Sequence, residues 1–336
     1  MLLASMLVLG ACNRSSARPG SHGARAFVSN EASGDISVID IATNTVAATI
    51  PVGKRPRGVQ RSPDGRFVYV ALSGSVPAGP GAKEPAAPPD KSADGIAVID
   101  TATSAVVDRL PSGSDPEQFA LSKDGTKLFV SNEDAALLSV VDRVSKRIDQ
   151  SVKVGEEPEG VAVSPDGRWI YVACESSSAV EVVDATTFAV VKELKTEARP
   201  RSVAFSADSS KAYISSELGG TLAVVSLPKH DIVATLKIGG RPMGLAVAPD
   251  GGRVYVSTGH GGDVMVVDAE KYEVVGSLHV GARPWGLAMT PDGKTLLSAN
   301  GTSDDVSVID VNTMKETGRI HVGGKPWGIV IVPAAG

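Results

Sequence analysis

The chain has 336 residues, with 33 Lys and Arg against 38 Asp and Glu, a net charge of −5 and two cysteines. The acidic balance argues against a nucleic-acid surface, whose footprint is usually basic. No apolar run approaches the ~20 residues that a spanning helix needs, and two thiols cannot build a disulfide framework.

Met1–Gly10 is a short apolar run, and Leu9-Gly10-Ala11-Cys12 is similar to a bacterial lipobox, although no basic residue precedes it. That resemblance implies a lipoprotein-type signal peptide over residues 1–11 and lipidation of the Cys12 thiol. The expected location is periplasmic, with the membrane reached only through the lipid at Cys12. Residues 12–24, rich in Ser, Gly and Arg, read as a flexible tether. With Cys12 lipidated, Cys174 stands alone, and stability must come from the core.

Residues 25–336 read as one folded domain. Arg25–Asn30 (RAFVSN) opens it, followed by Ile36–Asp40 and Thr45–Val52. These match strands two, three and four of a unit that recurs along the chain. Each later unit begins Gly-x-x-Pro-x-Gly or a close variant, runs through a short apolar strand to Ser-Pro-Asp-Gly, and continues with an aromatic-led strand. The leading prolines are Pro56, Pro116, Pro158, Pro200, Pro242, Pro284 and Pro326; every step after Pro116 is 42 residues. The first step is 60, a 42-residue unit with 18 extra residues carried in the Pro-, Ala- and Gly-rich stretch 74–94 of the second unit. That stretch cannot build a core and reads as an extended loop.

The turns have physical reasons. In Pro63-Asp64-Gly65 and its repeats, Pro fixes φ, Asp bonds its own backbone, and Gly is free to take φ > 0. Asp40, Asp100, Asp142, Asp184, Asp268 and Asp310 close third strands and read as hairpin residues. Small residues (Ala120, Ala162, Ala204, Ala246, Ala288) fall where units crowd an axis; the second unit departs from this with Gln60 and Arg61. Lys325–Val332 is a first strand with nothing after it, so it is expected to pair with Arg25–Asn30. A period of about 40–45 with four strand signals predicts an all-β, seven-bladed β-propeller of four antiparallel strands per blade. Closing the ring in this way removes an open sheet edge.

The second strands read Phe27-Val28-Ser29-Asn30, Tyr69-Val70-Ala71-Leu72, Phe129-Val130-Ser131-Asn132 and onward to Tyr255-Val256-Ser257-Thr258. With the Ser-Pro-Asp-Gly turns and Val-Ile-Asp strands, the chain resembles the YVTN-repeat family of seven-bladed propellers. Ser29-Asn30-Glu31, Arg55-Pro56-Arg57-Gly58, Glu157-Pro158-Glu159-Gly160 and Arg199-Pro200-Arg201 are similar, more narrowly, to the propellers associated with PQQ-dependent catabolism. That resemblance implies an exported protein without a catalytic role, accompanying periplasmic quinoprotein alcohol oxidation. It does not imply that the chain binds PQQ, since quinoprotein dehydrogenases are usually eight-bladed with tryptophan docking motifs and only Trp169, Trp285 and Trp327 are present here; no cofactor is expected.

Loops leading into first strands and loops joining second to third strands leave a blade on the same face. The residues flanking the leading prolines should therefore ring one mouth of the channel: Arg55/Arg57, Asp115/Glu117, Glu157/Glu159, Arg199/Arg201, Arg241/Met243, Arg283/Trp285 and Lys325/Trp327. The second loops add Glu31, Glu133, Glu175 and Glu217. A mouth lined largely with one sign of charge focuses the field, and guanidinium forks suit carboxylate or phosphate. Two readings stand: an anionic ligand or partner side chain held by Arg199, Arg201, Arg241, Arg283 and Lys325 beside Trp285 and Trp327, or rim charges that neutralise one another.

No catalytic motif and no metal motif occurs; His279 and His321 share an outward fourth-strand register, and only His260 falls on the mouth face. The leading expectation is a monomeric, non-enzymatic binding or scaffold protein. It would engage a periplasmic protein partner or a small anion, without cofactor, metal or nucleic acid. The alternative is a lactonase-like hydrolase holding a divalent ion through Glu31, Asn132, Glu133, Glu175 and Asn300.

Overall fold

The computed structural model describes residues 23–75 and 88–334. The lipobox-like segment, with Cys12, and the middle of the second-blade insertion lie outside the described residues. Seven four-stranded antiparallel sheets are present. The seven innermost strands are Pro56–Arg61, Pro116–Leu121, Pro158–Val163, Pro200–Phe205, Pro242–Val247, Pro284–Met289 and Pro326–Val332. Each packs beside the next, and the last packs beside the first.

Ring closure follows the expected pairing. Pro326–Val332 lies antiparallel to Arg25–Asn30, with Arg25 opposite Val332 and Phe27 opposite Val330. The first blade therefore takes its innermost strand from the C-terminal end and its other three from residues 25–51. The core is not central. Seven buried apolar clusters each fill the space between two adjacent blades, as where Phe27, Ile36 and Val38 of the first blade meet Val68, Val70 and Ile99 of the second. Face-to-face sheet packing holds the ring, and it follows from the alternation of inward and outward residues along each strand.

The turn chemistry agrees with the sequence. Asp64 Oδ1 accepts from Ser62 Oγ at 2.6 Å and from Arg66 N–H at 3.1 Å. Where the fourth turn has Ser209 in place of Gly, Ser209 itself takes the left-handed conformation (φ 59°). Asp100 Oδ1 accepts from the Thr103 N–H at 2.9 Å, the hairpin role expected for the third-strand aspartates. The ends of the insertion are held at the mouth, with Asp94 accepting from Gly74 N–H at 2.7 Å and from Asp115 N–H at 3.0 Å.

Candidate binding site at the channel mouth

Two backbone devices bring the flanking residues together. In all seven blades the residue before the proline is in the left-handed region without being glycine: Arg55, Asp115, Glu157, Arg199, Arg241, Arg283 and Lys325, with φ between 42° and 62°. In six blades its carbonyl then accepts the N–H of the second-loop residue, as in Glu133→Asp115, Glu175→Glu157, Glu217→Arg199 and Glu31→Lys325. This places the second-loop acids against the proline-flanking residues. The second device is a register break after each proline, between Pro56 and Val59 in the second blade and at the equivalent place in the others. A bulge re-aims side chains, and the residue after the proline turns toward the axis.

The residues after the prolines consequently form a layer across the channel. Arg57, Glu117, Glu159, Arg201, Met243 and Trp327 are buried, Glu117 completely. Glycine follows in five blades because the inner strands converge there. A Cβ on Gly244 would lie 2.1 Å from the Trp285 carbonyl oxygen, and one on Gly160 2.2 Å from that of Arg201.

Second-strand serines pin this layer from behind. Ser29 Oγ donates to the Arg57 carbonyl at 2.5 Å, Ser131 to Glu159 at 2.6 Å, Ser215 to Met243 at 2.5 Å and Ser257 to Trp285 at 2.6 Å. Sequence reasoning missed this role, although its signal was present in the recurring Ser of the second-strand motif.

Five guanidiniums are consumed within the site. Arg57 contacts Glu117, comes within 3.6 Å of Glu31 and of Glu159, and lies 4.7 Å from the Trp327 ring centre. Arg201 contacts Glu159 and Glu175. Arg55 reaches Glu31 and Glu117 at 3.4 Å and Asp115 at 3.6 Å. Arg199 meets Glu175 at 2.5 Å and Glu217 at 3.4 Å; Arg241 meets Glu217 at 3.5 Å. These contacts are those of mutual neutralisation. Burial, its largest influence, pulls the Arg57 pKa down, opposed by Glu159 and Glu31.

Arg283 and Lys325 stand apart: both are exposed, and among the described residues neither has a carboxylate within ion-pair distance. Arg283 lies 5.1 Å from the centre of the Trp285 ring, and Trp285 meets Trp327 edge to face at 5.7 Å. His260 is exposed on the same arc, 3.4 Å from Arg241. Glu157 is exposed on the opposite arc and accepts from Ser176. The mouth face is thus divided between a cationic, tryptophan-bearing arc and an acidic one.

Glu133 sits half-buried among acids. Burial, then Glu159, push its carboxyl up to about 7, against the pull of Arg57. Asp115, Glu117 and Glu133 bring carboxylate oxygens within 4.8 Å of one another, but Arg55 and Arg57 already face the first two.

The ion-binding set expected of the hydrolase alternative does not assemble. Asn132 donates to the Ser112 carbonyl at 2.8 Å and accepts from Ser139, while Asn300 donates to Asp305 at 2.7 Å and Ser307 at 2.9 Å. The Asn300 amide bonds within its own blade, and the Asn132 amide ties its blade to the connection from the second, so both are engaged by the protein itself. Cys174, in the same register, is a buried filler whose thiol burial pushes up to about 12.

Two family descriptions match parts of the chain: "Cytochrome D1 heme domain" over residues 89–202 and "Lactonase, 7-bladed beta-propeller" over residues 184–327. No curated protein matches. Among solved structures, a chain of Kuenenia stuttgartiensis hydrazine synthase is similar at TM-score 0.74 and 19% identity, covering 90% of this chain and 99% of that one. A Bacteroides uniformis protein provisionally named a 6-phosphogluconolactonase is similar at TM-score 0.74 and 20% identity, covering 93% and 100%. A Desulfotomaculum acetoxidans protein of unknown function is similar at TM-score 0.76 and 15% identity, covering 93% and 99%. These likenesses establish the fold. The haem-domain match covers about a third of the chain and, like the lactonase match, speaks for the propeller fold.

Proposed function

We propose that the chain is a binding propeller, not an enzyme, whose mouth face docks an acidic group of a partner protein against Arg283 and Lys325. The observation that carries this reading is the contrast at the rim. Five guanidiniums are spent on Glu31, Asp115, Glu117, Glu159, Glu175 and Glu217, while Arg283, over the Trp285 ring, and Lys325 have no carboxylate within ion-pair distance among the described residues. Arg with a neighbouring tryptophan is the composition enriched in binding hot spots. The narrower reading is an exported scaffold, anchored through Cys12, that serves periplasmic quinoprotein oxidation; the motif resemblance supports it. The test is cross-linking in the producing cell of the native chain and of Arg283→Glu/Lys325→Glu. Loss of a cross-linked partner on charge reversal is expected, and an unchanged cross-link pattern overturns the reading.

A second reading, a lactonase-like hydrolase, is favoured by the match over residues 184–327 and by Glu133. A carboxyl with a pKa near 7 suits general acid–base work. On this reading, purified protein opens lactones at a rate that Glu133→Gln abolishes. No turnover, or an equal rate in the variant, removes it.

A further inference from the structure

The second blade breaks the repeat at the end of the channel opposite the mouth. Other blades carry Leu121, Val163, Phe205, Val247, Met289 and Ile331 where this one has Arg61, and five of them carry Ala where it has Gln60. These departures face a space. A channel cavity of about 620 Å3 is lined by all seven inner strands, and Gln60, Arg61 and Lys123 are the residues that give its far end charge and amide character. Trp327 of the mouth layer lines its near end, while among the described residues no carboxylate lines the cavity. Its size falls in the range of small-molecule sites.

Arg61 has no strong partner there. Its contacts are two carbonyls of its own turn, Ser62 at 3.3 Å and Pro63 at 3.4 Å, and among the described residues no acid lies within ion-pair distance. The acid of its own turn, Asp64, is spent on Ser62 Oγ and the Arg66 N–H. A half-buried guanidinium placed where the fold elsewhere uses an apolar side chain forgoes packing, and a ligand interaction would compensate for that loss. The walls add exposed main-chain groups, Gln118 and Ser202, so the remainder of the ligand must be hydrophilic.

We propose that the far end of the channel is a binding site for a small hydrophilic oxyanion, with Arg61 and Lys123 supplying charge and Gln60 a hydrogen-bonding amide. Entry is from the face opposite the mouth, so the site is independent of Arg283 and Lys325. The experiment is calorimetric titration of the full chain with tartrate, inorganic phosphate and, as the uncharged match to tartrate, threitol. Tartrate or phosphate is expected to bind, whichever does identifying the oxyanion as carboxylate or phosphate, and threitol is expected to bind far more weakly. Arg61→Leu, which restores the residue of the third blade and so should fold, is expected to lose about tenfold in affinity or more, the scale of a charge-assisted hydrogen bond. Arg61→Lys is expected to retain part of the binding, and Arg283→Ala all of it. Binding of neither anion, equal binding by Arg61→Leu, or loss in Arg283→Ala overturns the proposal.

Discussion

Arg57 and Glu159 meet at the mouth, Nη2 to Oε1 at 3.6 Å, although their prolines belong to blades two places apart. The contact links three successive blades, because Arg57 also touches Glu117, which has no exposed surface. Removing one partner of a buried pair leaves an uncompensated charge, typically costing about 3–5 kcal/mol. Arg57→Met should therefore lower the denaturation midpoint sharply, and Arg57→Met/Glu117→Leu should recover much of the loss. A single variant that melts like the native chain would show that water reaches the layer.

Glu133 gives the mouth a pH dependence of unusual sign. Its pKa rises from 4.5 to about 7 on folding, through burial first and then Glu159, with Asp115 and Glu157 adding to it and Arg57 opposing. The folded state thus binds more protons than the unfolded one between those values. This contribution to stability is complete below pH 4.5 and is lost as pH rises through about 7. Melting temperatures of native and Glu133→Gln chains across that window should show the decline in the native chain alone.

His230 should act in the opposite sense. It is buried between blades, with Nδ1 2.7 Å from the Tyr171 hydroxyl and its ring edge-on to Trp169 at 4.5 Å. Burial, with Lys192 next, lowers its pKa below 6.5. The unfolded chain then takes up the proton first as pH falls, so its contribution is present above pH 6.5 and lost through the lower folded value. His230→Asn tolerates the left-handed backbone and retains a polar partner for Tyr171. Its melting temperature should depend less on pH in this acid range than that of the native chain.

Gly244 is held to glycine by crowding alone, since its backbone is not left-handed. A methyl group there would meet the Trp285 carbonyl at 2.1 Å, a backbone atom that moves only with its strand. Gly244→Ala should cost about 1–3 kcal/mol, the usual scale of overpacking. Gly276→Ala, with nothing within 4 Å of the added atom, provides the contrast in the same blade and should leave the denaturation midpoint nearly unchanged.

The architecture was legible because it is written seven times. Leading prolines, turn aspartates and second-strand motifs repeat at one period, and the partial unit at each end pointed to the pairing of Phe27 with Val330. The mouth was legible only as membership. Spacing placed Arg57, Glu117 and Arg201 on one face, but whether they project outward or cross the axis depends on the bulge after each proline. In five blades the glycine after it lets the next blade's carbonyl approach closely. Asn132 and Asn300 were misplaced for a related reason: a residue at a strand end on the mouth face can equally bond into its own blade or the adjoining connection, and Ser112, Ser139, Asp305 and Ser307 supply the partners.

Arg283 separates binding from stability most cleanly. Its φ of 57° is a conformation that a side chain adopts at a cost of about 1–2 kcal/mol and glycine adopts freely. Its side chain is exposed and takes part in no ion pair among the described residues, while its carbonyl, which accepts from the Gly301 N–H at 2.9 Å, would remain in any substitution. Arg283→Gly should consequently fold with an unchanged or higher melting temperature and still lose partner cross-linking. The equivalent change at Arg199, which meets Glu175 at 2.5 Å and Glu217 at 3.4 Å, should instead trade relief of backbone strain against two lost ion pairs. If Arg283→Gly melts lower than the native chain, the arginine supports the fold through its contact with the Trp285 ring, 5.1 Å from the guanidinium. If it melts higher and keeps its partner, the cationic arc is not where the partner docks.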